Sequence, residues 1–218
     1  MIINYDTGEF PFAREIEERF RAKFGGYKLT RLHLYQDYSL RCRENDWQTM
    51  YHEYFYELAR ESWFHELYRG LIARVVASSF ASEEWIAYQV IPSFRVHLPD
   101  NLAVGEFHRD TDYSHPETEV NFWLPLTEAR DTSVFWVESQ SGLGDYAPAA
   151  KVLQPGEIFQ FDGAHLRHGD VLNKTGLTRV SFDFRIIPGS LYQGSEKKTI
   201  NSGMRYVLGE YYARMEQK

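Results

Sequence analysis

The stretch EFHRDTDYSH, residues 106–115, sets two histidines, two aspartates and a glutamate around a single arginine. Imidazole nitrogens and carboxylate oxygens are metal ligands. Residues i and i+2 of a strand point to one face, so His108 and Asp110 converge on one ion if they lie at a strand end. Two ligands do not complete a site, and a third must come from elsewhere in the chain. The stretch GAHLRHGD, residues 163–170, offers His165 and His168. An HxD pair is common by chance, and each histidine taken singly reads as readily as a surface or structural residue. Two histidines and one carboxylate gathered on one face of an ion leave three adjacent positions open, the arrangement of non-haem Fe(II) oxygenases.

A second signal is independent of the first. The run Arg179-Val180-Ser181-Phe182-Asp183-Phe184-Arg185 alternates without a break. Val180, Phe182 and Phe184 take one face, and Arg179, Ser181, Asp183 and Arg185 take the other. Two environments suit such a strand: an antiparallel edge with one solvated face, or a barrel strand whose polar side lines a ligand cavity. A guanidinium donates two parallel hydrogen bonds to a carboxylate, and a hydroxyl two residues on adds a third donor. Arg179 lies eleven residues after His168, far enough to round a turn and enter the next strand.

The elements that must position these residues change character near residue 85. Residues 1–84 read as mainly helical. Phe12, Ile16, Phe20 and Phe24 make one apolar stripe behind Pro11, and Gly25-Gly26 ends it. YKLTRLHLYQ, within 27–41, is a candidate strand. From Asp46, the expected N-cap, one or two helices run to about residue 80, with a break near Ser62. Residues 85–188 read as short β-branched and aromatic strands separated by turn residues, the pattern of a sandwich or barrel. Met204, Val207, Leu208, Tyr211, Tyr212 and Met215 repeat at helical spacing, so the segment 200–218 is expected to be an amphipathic helix. The expected fold is a single α+β domain, a β-barrel or double-stranded β-helix with helices packed outside.

Composition bounds the function. The chain has 218 residues, 43% of them hydrophobic and 16% aromatic, which is ample for a core. Acidic residues outnumber basic ones by 31 to 24, so nothing draws the chain generally to nucleic acid or an anionic membrane. The lone cysteine, Cys42, has no intramolecular disulfide partner. No apolar stretch approaches a membrane span and no secretory signal opens the chain, so a cytoplasmic location is expected. The expected partner is a small molecule, and a homodimer is an open option.

The motif His108-x-Asp110, the distant His168-Gly169 and Arg179-x-Ser181 together resemble the Fe(II)/2-oxoglutarate-dependent oxygenases. FHRDTDYSHPETEVNFWLPLTEARDTSVFWVES, with HGD and TRVSFDFR after it, is similar to the streptomycin-biosynthesis-like members, relatives of the phytanoyl-CoA hydroxylases. The resemblance covers about residues 85–188. It implies a jelly-roll core, and His108, Asp110 and His168 as iron ligands, with His165 the competing third ligand. It implies Arg179, assisted by Ser181, as the anchor of the distal carboxylate of 2-oxoglutarate, and O2 as the other co-substrate. The expected reaction hydroxylates an unactivated C–H bond of a small polar metabolite and releases succinate and CO2. The carboxylate at Asp110 favours oxygenation over halogenation. Asn121 is a candidate contact for 2-oxoglutarate, and Tyr113, His115, Trp123, Trp136 and Arg95 are candidates for the substrate. Glu106, Asp112, Glu117 and Glu119 fit a cationic or hydroxyl-rich substrate if they face it. Two other readings stand beside this one: a cupin-like metal enzyme that uses no keto acid, and a non-catalytic jelly-roll binding protein.

Overall fold

The computed structural model describes residues 1–35, 49–103, 106–200 and 202–217. The chain is a mixed helix and antiparallel sheet structure. Among the described residues three α-helices, α1 (Phe12–Lys23), α2 (Met50–Leu58) and α3 (Ser62–Arg74), precede most of the strands. The strands are β1 (Ile2–Asn4), β2 (Trp85–Gln89), β3 (Ser93–His97), β4 (Val120–Pro125), β5 (Trp136–Val137), β6 (Ala147–Pro148), β7 (Glu157–Phe161), β8 (His168–Gly169), β9 (Arg179–Pro188) and β10 (Tyr212–Glu216). The main sheet runs β1-β7-β4-β9-β2-β10, and β3 also pairs with β9. A smaller sheet runs β8-β5-β6. Two short ladders, Ala129–Arg130 with Val152–Leu153 and Ser195–Lys198 with Arg205–Tyr206, complete the pairing.

The ten-residue β9 is the axis of the sheet. Its residues 181–186 pair with β4 on one side. On the other side 179–183 pair with β3 and 186–188 with β2. The alternation in its sequence becomes two kinds of interior. Val180, Phe182 and Phe184 join the apolar core beneath the helices. Phe182 meets Phe12 of α1 edge-on at 5.4 Å between ring centroids, and Phe55 of α2 stacks on Phe94 at 4.1 Å. Arg179, Ser181, Asp183 and Arg185 are also buried, so the solvated-edge reading does not hold and the polar face lines an interior. On the neighbouring strand β4, Trp123 pairs in register with Asp183, and Trp123 clusters with Phe135 and with Val137 of the small sheet.

Several expectations meet corrections. Helix α1 carries the predicted stripe, with Phe12, Ile16 and Phe20 buried. The break near Ser62 separates α2 from α3. The expected cap at Asp46 lies outside the described residues, as does Cys42; Thr49 caps α2, its side chain accepting from the Tyr51 N–H. The described part of the 27–41 segment is a 3-10 helix, Leu29–Leu34, not a strand. The N-terminus adds an unexpected strand, β1, against the edge of β7.

The amphipathic C-terminal helix is absent; the segment instead holds Arg205–Tyr206 and β10. Gly209 sits inside it at φ +85°, which a helix does not admit. The open edge of β2 offers unpaired backbone groups that β10 satisfies, burying Tyr212 and Met215. Tertiary pairing overrides the helical spacing. Among the described residues no helix is long and apolar enough to cross a membrane.

Two histidines of the interior make stability depend on pH. Burial pushes His52 down to about 3 and His97 down to about 4. The folded imidazoles stay neutral while unfolded ones take up protons near about 6.5, so the unfolded state gains protons first as pH falls. Stability falls from about pH 6.5 toward pH 4, by about 1.4 kcal/mol per pH unit for each histidine. Melting temperatures at pH 7, 6 and 5 should decrease in order, and a flat profile would exclude this linkage.

Candidate metal centre

His108 and His168 are joined by their backbones. They form an antiparallel bridge, His108 N–H donating to His168 O at 3.0 Å and His168 N–H to His108 O at 2.9 Å. Asp110 opens a 3-10 turn, Asp110–Tyr113, and its N–H donates to Gly163 O at 2.8 Å. The expected strand end is therefore present, with the histidine in the last extended pairing and the aspartate on the turn beyond it. One ligating atom each of His108, Asp110 and His168 lies within 4.8 Å of the others.

The tautomers follow from the partners. Nδ1 of His108 lies 2.9 Å from Glu106 O, and Nδ1 of His168 lies 3.0 Å from Leu166 O. A carbonyl oxygen only accepts, so each Nδ1 carries the proton and each neutral ring presents a bare Nε2. These two nitrogens face Asp110 Oδ1 at 3.8 and 3.5 Å. Burial pushes His108 down to about 4, so it is neutral at pH 7. Burial opposes ionisation of Asp110, but the Arg185 guanidinium foremost and the Asn121 amide hold it well below the usual carboxylate range. Two lone pairs aimed at a carboxylate oxygen repel unless a cation stands among them. The donor set fits a divalent metal, with both imidazoles oriented by backbone carbonyls.

His165 does not join the group. It is half exposed, and its Nδ1 bonds Asp162 at 2.8 Å. A second cluster, Asp110, His115 and Glu119, also has the right residue types. The Arg185 guanidinium stands 3.0 Å from Asp110 and 3.9 Å from Glu119, and a fixed cation there opposes a second metal ion. Glu119 is buried instead among His115, which donates to it at 2.8 Å, and the Tyr212 hydroxyl.

Two cavities meet at His108. One is a slot of about 30 Å³ lined by Trp123, Phe135 and Phe161 and by Arg179. Arg179 is 1% exposed. Its Nη1 donates to Ser181 Oγ at 3.0 Å, its Nε to Ser133 O at 3.0 Å and its Nη2 to Asp170 at 2.5 Å. Arg179 thus already has a counter-ion, which sequence reasoning did not anticipate. The other cavity, about 690 Å³, is lined by Asp110, Tyr113, His115, Arg95 and Arg185 among others.

The remaining predicted residues sort themselves between these spaces. Arg95 lines both cavities and pairs with Asp183 at 3.0 Å. Trp123 lies on the Arg179 side, its ring 5.5 Å from that guanidinium, and not in the large cavity. Trp136 lines neither, and its indole N–H is buried without a partner. Asn121 donates to Asp110 Oδ2 at 2.6 Å. The acidic rim is not realised: of its four residues only Glu106 lines the large cavity, against Arg60, Arg95 and Arg185. Arg185 itself was missed as a site residue, although its place six residues after Arg179 on the same strand face signals it.

No family model matches the chain. Streptomycin biosynthesis protein StrG of Streptomyces griseus is 38% identical over 170 residues, covering 78% of each chain. Among solved structures, a nickel complex of the non-haem monooxygenase ThoJ aligns with TM-score 0.54 at 12% identity, over 85% of this chain and 71% of that one. AviO1 from Streptomyces viridochromogenes aligns with TM-score 0.52 at 19% identity, over 88% and 89%. The chain belongs to the family of the streptomycin biosynthesis protein StrG, and its fold is that of the non-haem oxygenases.

Proposed function

We propose that the protein is an Fe(II)/2-oxoglutarate-dependent oxygenase that hydroxylates a small polar metabolite, built on a double-stranded β-helix core. The observation that carries the reading is the convergence of two bare Nε2 atoms and one carboxylate oxygen beside a slot that a buried arginine also lines. Family membership beside a biosynthesis protein supports it. In this reading His108, Asp110 and His168 hold the iron. Bound Fe(II) with 2-oxoglutarate supplies an oxidant made from O2, with succinate and CO2 as co-products.

The chain's own residues do the rest. Arg179 and Ser181 take the distal carboxylate of 2-oxoglutarate, and Trp123, Phe135 and Phe161 keep water from it. Asp170 competes with that carboxylate for the guanidinium. The substrate occupies the large cavity, where Tyr113, His115 and Arg95 contact it.

With Fe(II) and 2-oxoglutarate under argon, the protein should develop a weak visible charge-transfer band. Under air it should form succinate. His108→Ala, Asp110→Ala and His168→Ala should abolish both signals, whereas His165→Ala should retain them. Retention in His168→Ala, or loss in His165→Ala, would reject the ligand set. Arg179→Met should raise the KM for 2-oxoglutarate about tenfold or more, the worth of a hydrogen bond to a charged group. Asp170→Asn, which removes the competing anion, should lower it, and a rise would place the anchor elsewhere.

A further inference from the structure

We infer that Arg185 and Asn121 are positioning residues that make Asp110 present a single oxygen, Oδ1, to the metal. The inference rests on the proposed ligand role of His108, Asp110 and His168. The two oxygens of Asp110 have opposite surroundings. Oδ2 accepts from Asn121 Nδ2 at 2.6 Å and Arg185 Nε at 3.0 Å, with Arg185 Nη2 in ion-pair contact at 3.0 Å. Two N–H donors, Asn121 Nδ2 and Arg185 Nε, occupy the two lone-pair directions of that oxygen, and Arg185 Nη2 adds an ion-pair contact. Oδ1 faces the two imidazoles and receives none of these bonds.

The donors are themselves immobilised. Arg185 is 4% exposed, and its Nη1 bonds Asp183 at 2.6 Å and Ser93 Oγ at 3.1 Å. Arg95 pairs with the other oxygen of Asp183, so charges alternate Arg95, Asp183, Arg185, Asp110 along the wall between the two cavities. Asn121 packs on Gly163, where an added Cβ would stand 2.6 Å from the amide nitrogen. Glycine at 163 leaves the space that the amide needs. Both donors are held by these contacts, and turning the second oxygen of Asp110 toward an ion breaks two hydrogen bonds and an ion-pair contact. A carboxylate bound through both oxygens would take one of the three open positions; bound through one, it leaves all three.

Mn(II), with no other ligand added, tests this through water-proton relaxation, which counts exchangeable waters on the bound ion. The wild-type protein should show three. Arg185→Gln should lose about one third of the inner-sphere effect as Oδ2 takes one open position. Arg185→Lys, which keeps a cation and one donor, should restore most of it. Asn121→Leu leaves the charges intact, should shift the count the same way, and serves where Arg185→Gln does not fold. Wild-type Mn(II) binding with unchanged water counts in Arg185→Gln and Asn121→Leu would overturn this inference alone. A wild type that takes up no Mn(II) would overturn the metal-site reading, and this inference with it.

Discussion

A carboxylate sealed from water must be met by positive charge or by hydrogen-bond donors, and Asp110 is met by both. Its burial would penalise the ion by several kcal/mol if it stood alone. Arg185 answers that penalty, and Arg185 is in turn neutralised by Asp183, which also holds Arg95. The charges are close to balanced along this row. What is left unbalanced is local: one carboxylate oxygen and two imidazole nitrogens, all lone pairs, pointing at one another. Around that point the charged groups are paired, and at it three lone pairs are left facing one another.

The same strand that carries Arg185 carries Arg179, and the distance between the two arginines is set by strand geometry. Residues two apart recur on one face about 7 Å along a strand, so Arg179 and Arg185 stand about 20 Å apart along β9. Between them, Ser181 and Asp183 continue the polar face while Val180, Phe182 and Phe184 anchor the opposite side under the helices. The aromatic packing of α1 and α2 thus has a role at the site. By fixing one face of β9 it fixes the other, and the two cavities inherit their shapes from a single strand.

Much of this was legible in the sequence. The alternation at 179–185 signalled a two-faced strand, and burial on both faces decides between the edge and the cavity. His108, Asp110 and His168 come together, while the choice of His168 over His165 needed the resemblance until the backbone bridge put one ring inward and left the other bonded to Asp162. Two things were not legible. Helical spacing at 204–215 is also compatible with a strand that buries Tyr212 and Met215, and only the open edge of β2 settles which forms. The partner of a buried arginine cannot be read from spacing either: Asp170 carries no signal in its spacing, yet it meets Arg179. Glu119 likewise reads as a rim residue and is buried among Tyr212, His115 and Arg185.

The bridge between His108 and His168 has one more consequence. The side-chain period of a ladder is two residues, so a shift by one turns every side chain to the opposite face. Loop length between Asp162 and His168 is therefore a geometric constraint of the same rank as the identity of the histidines. An insertion or deletion of one residue there would turn His168 outward with all three ligand residues still present in the chain. Motif counting cannot detect such a loss. A relative that keeps HxD and HGD but differs by one residue in this loop would carry the letters of the site without its shape.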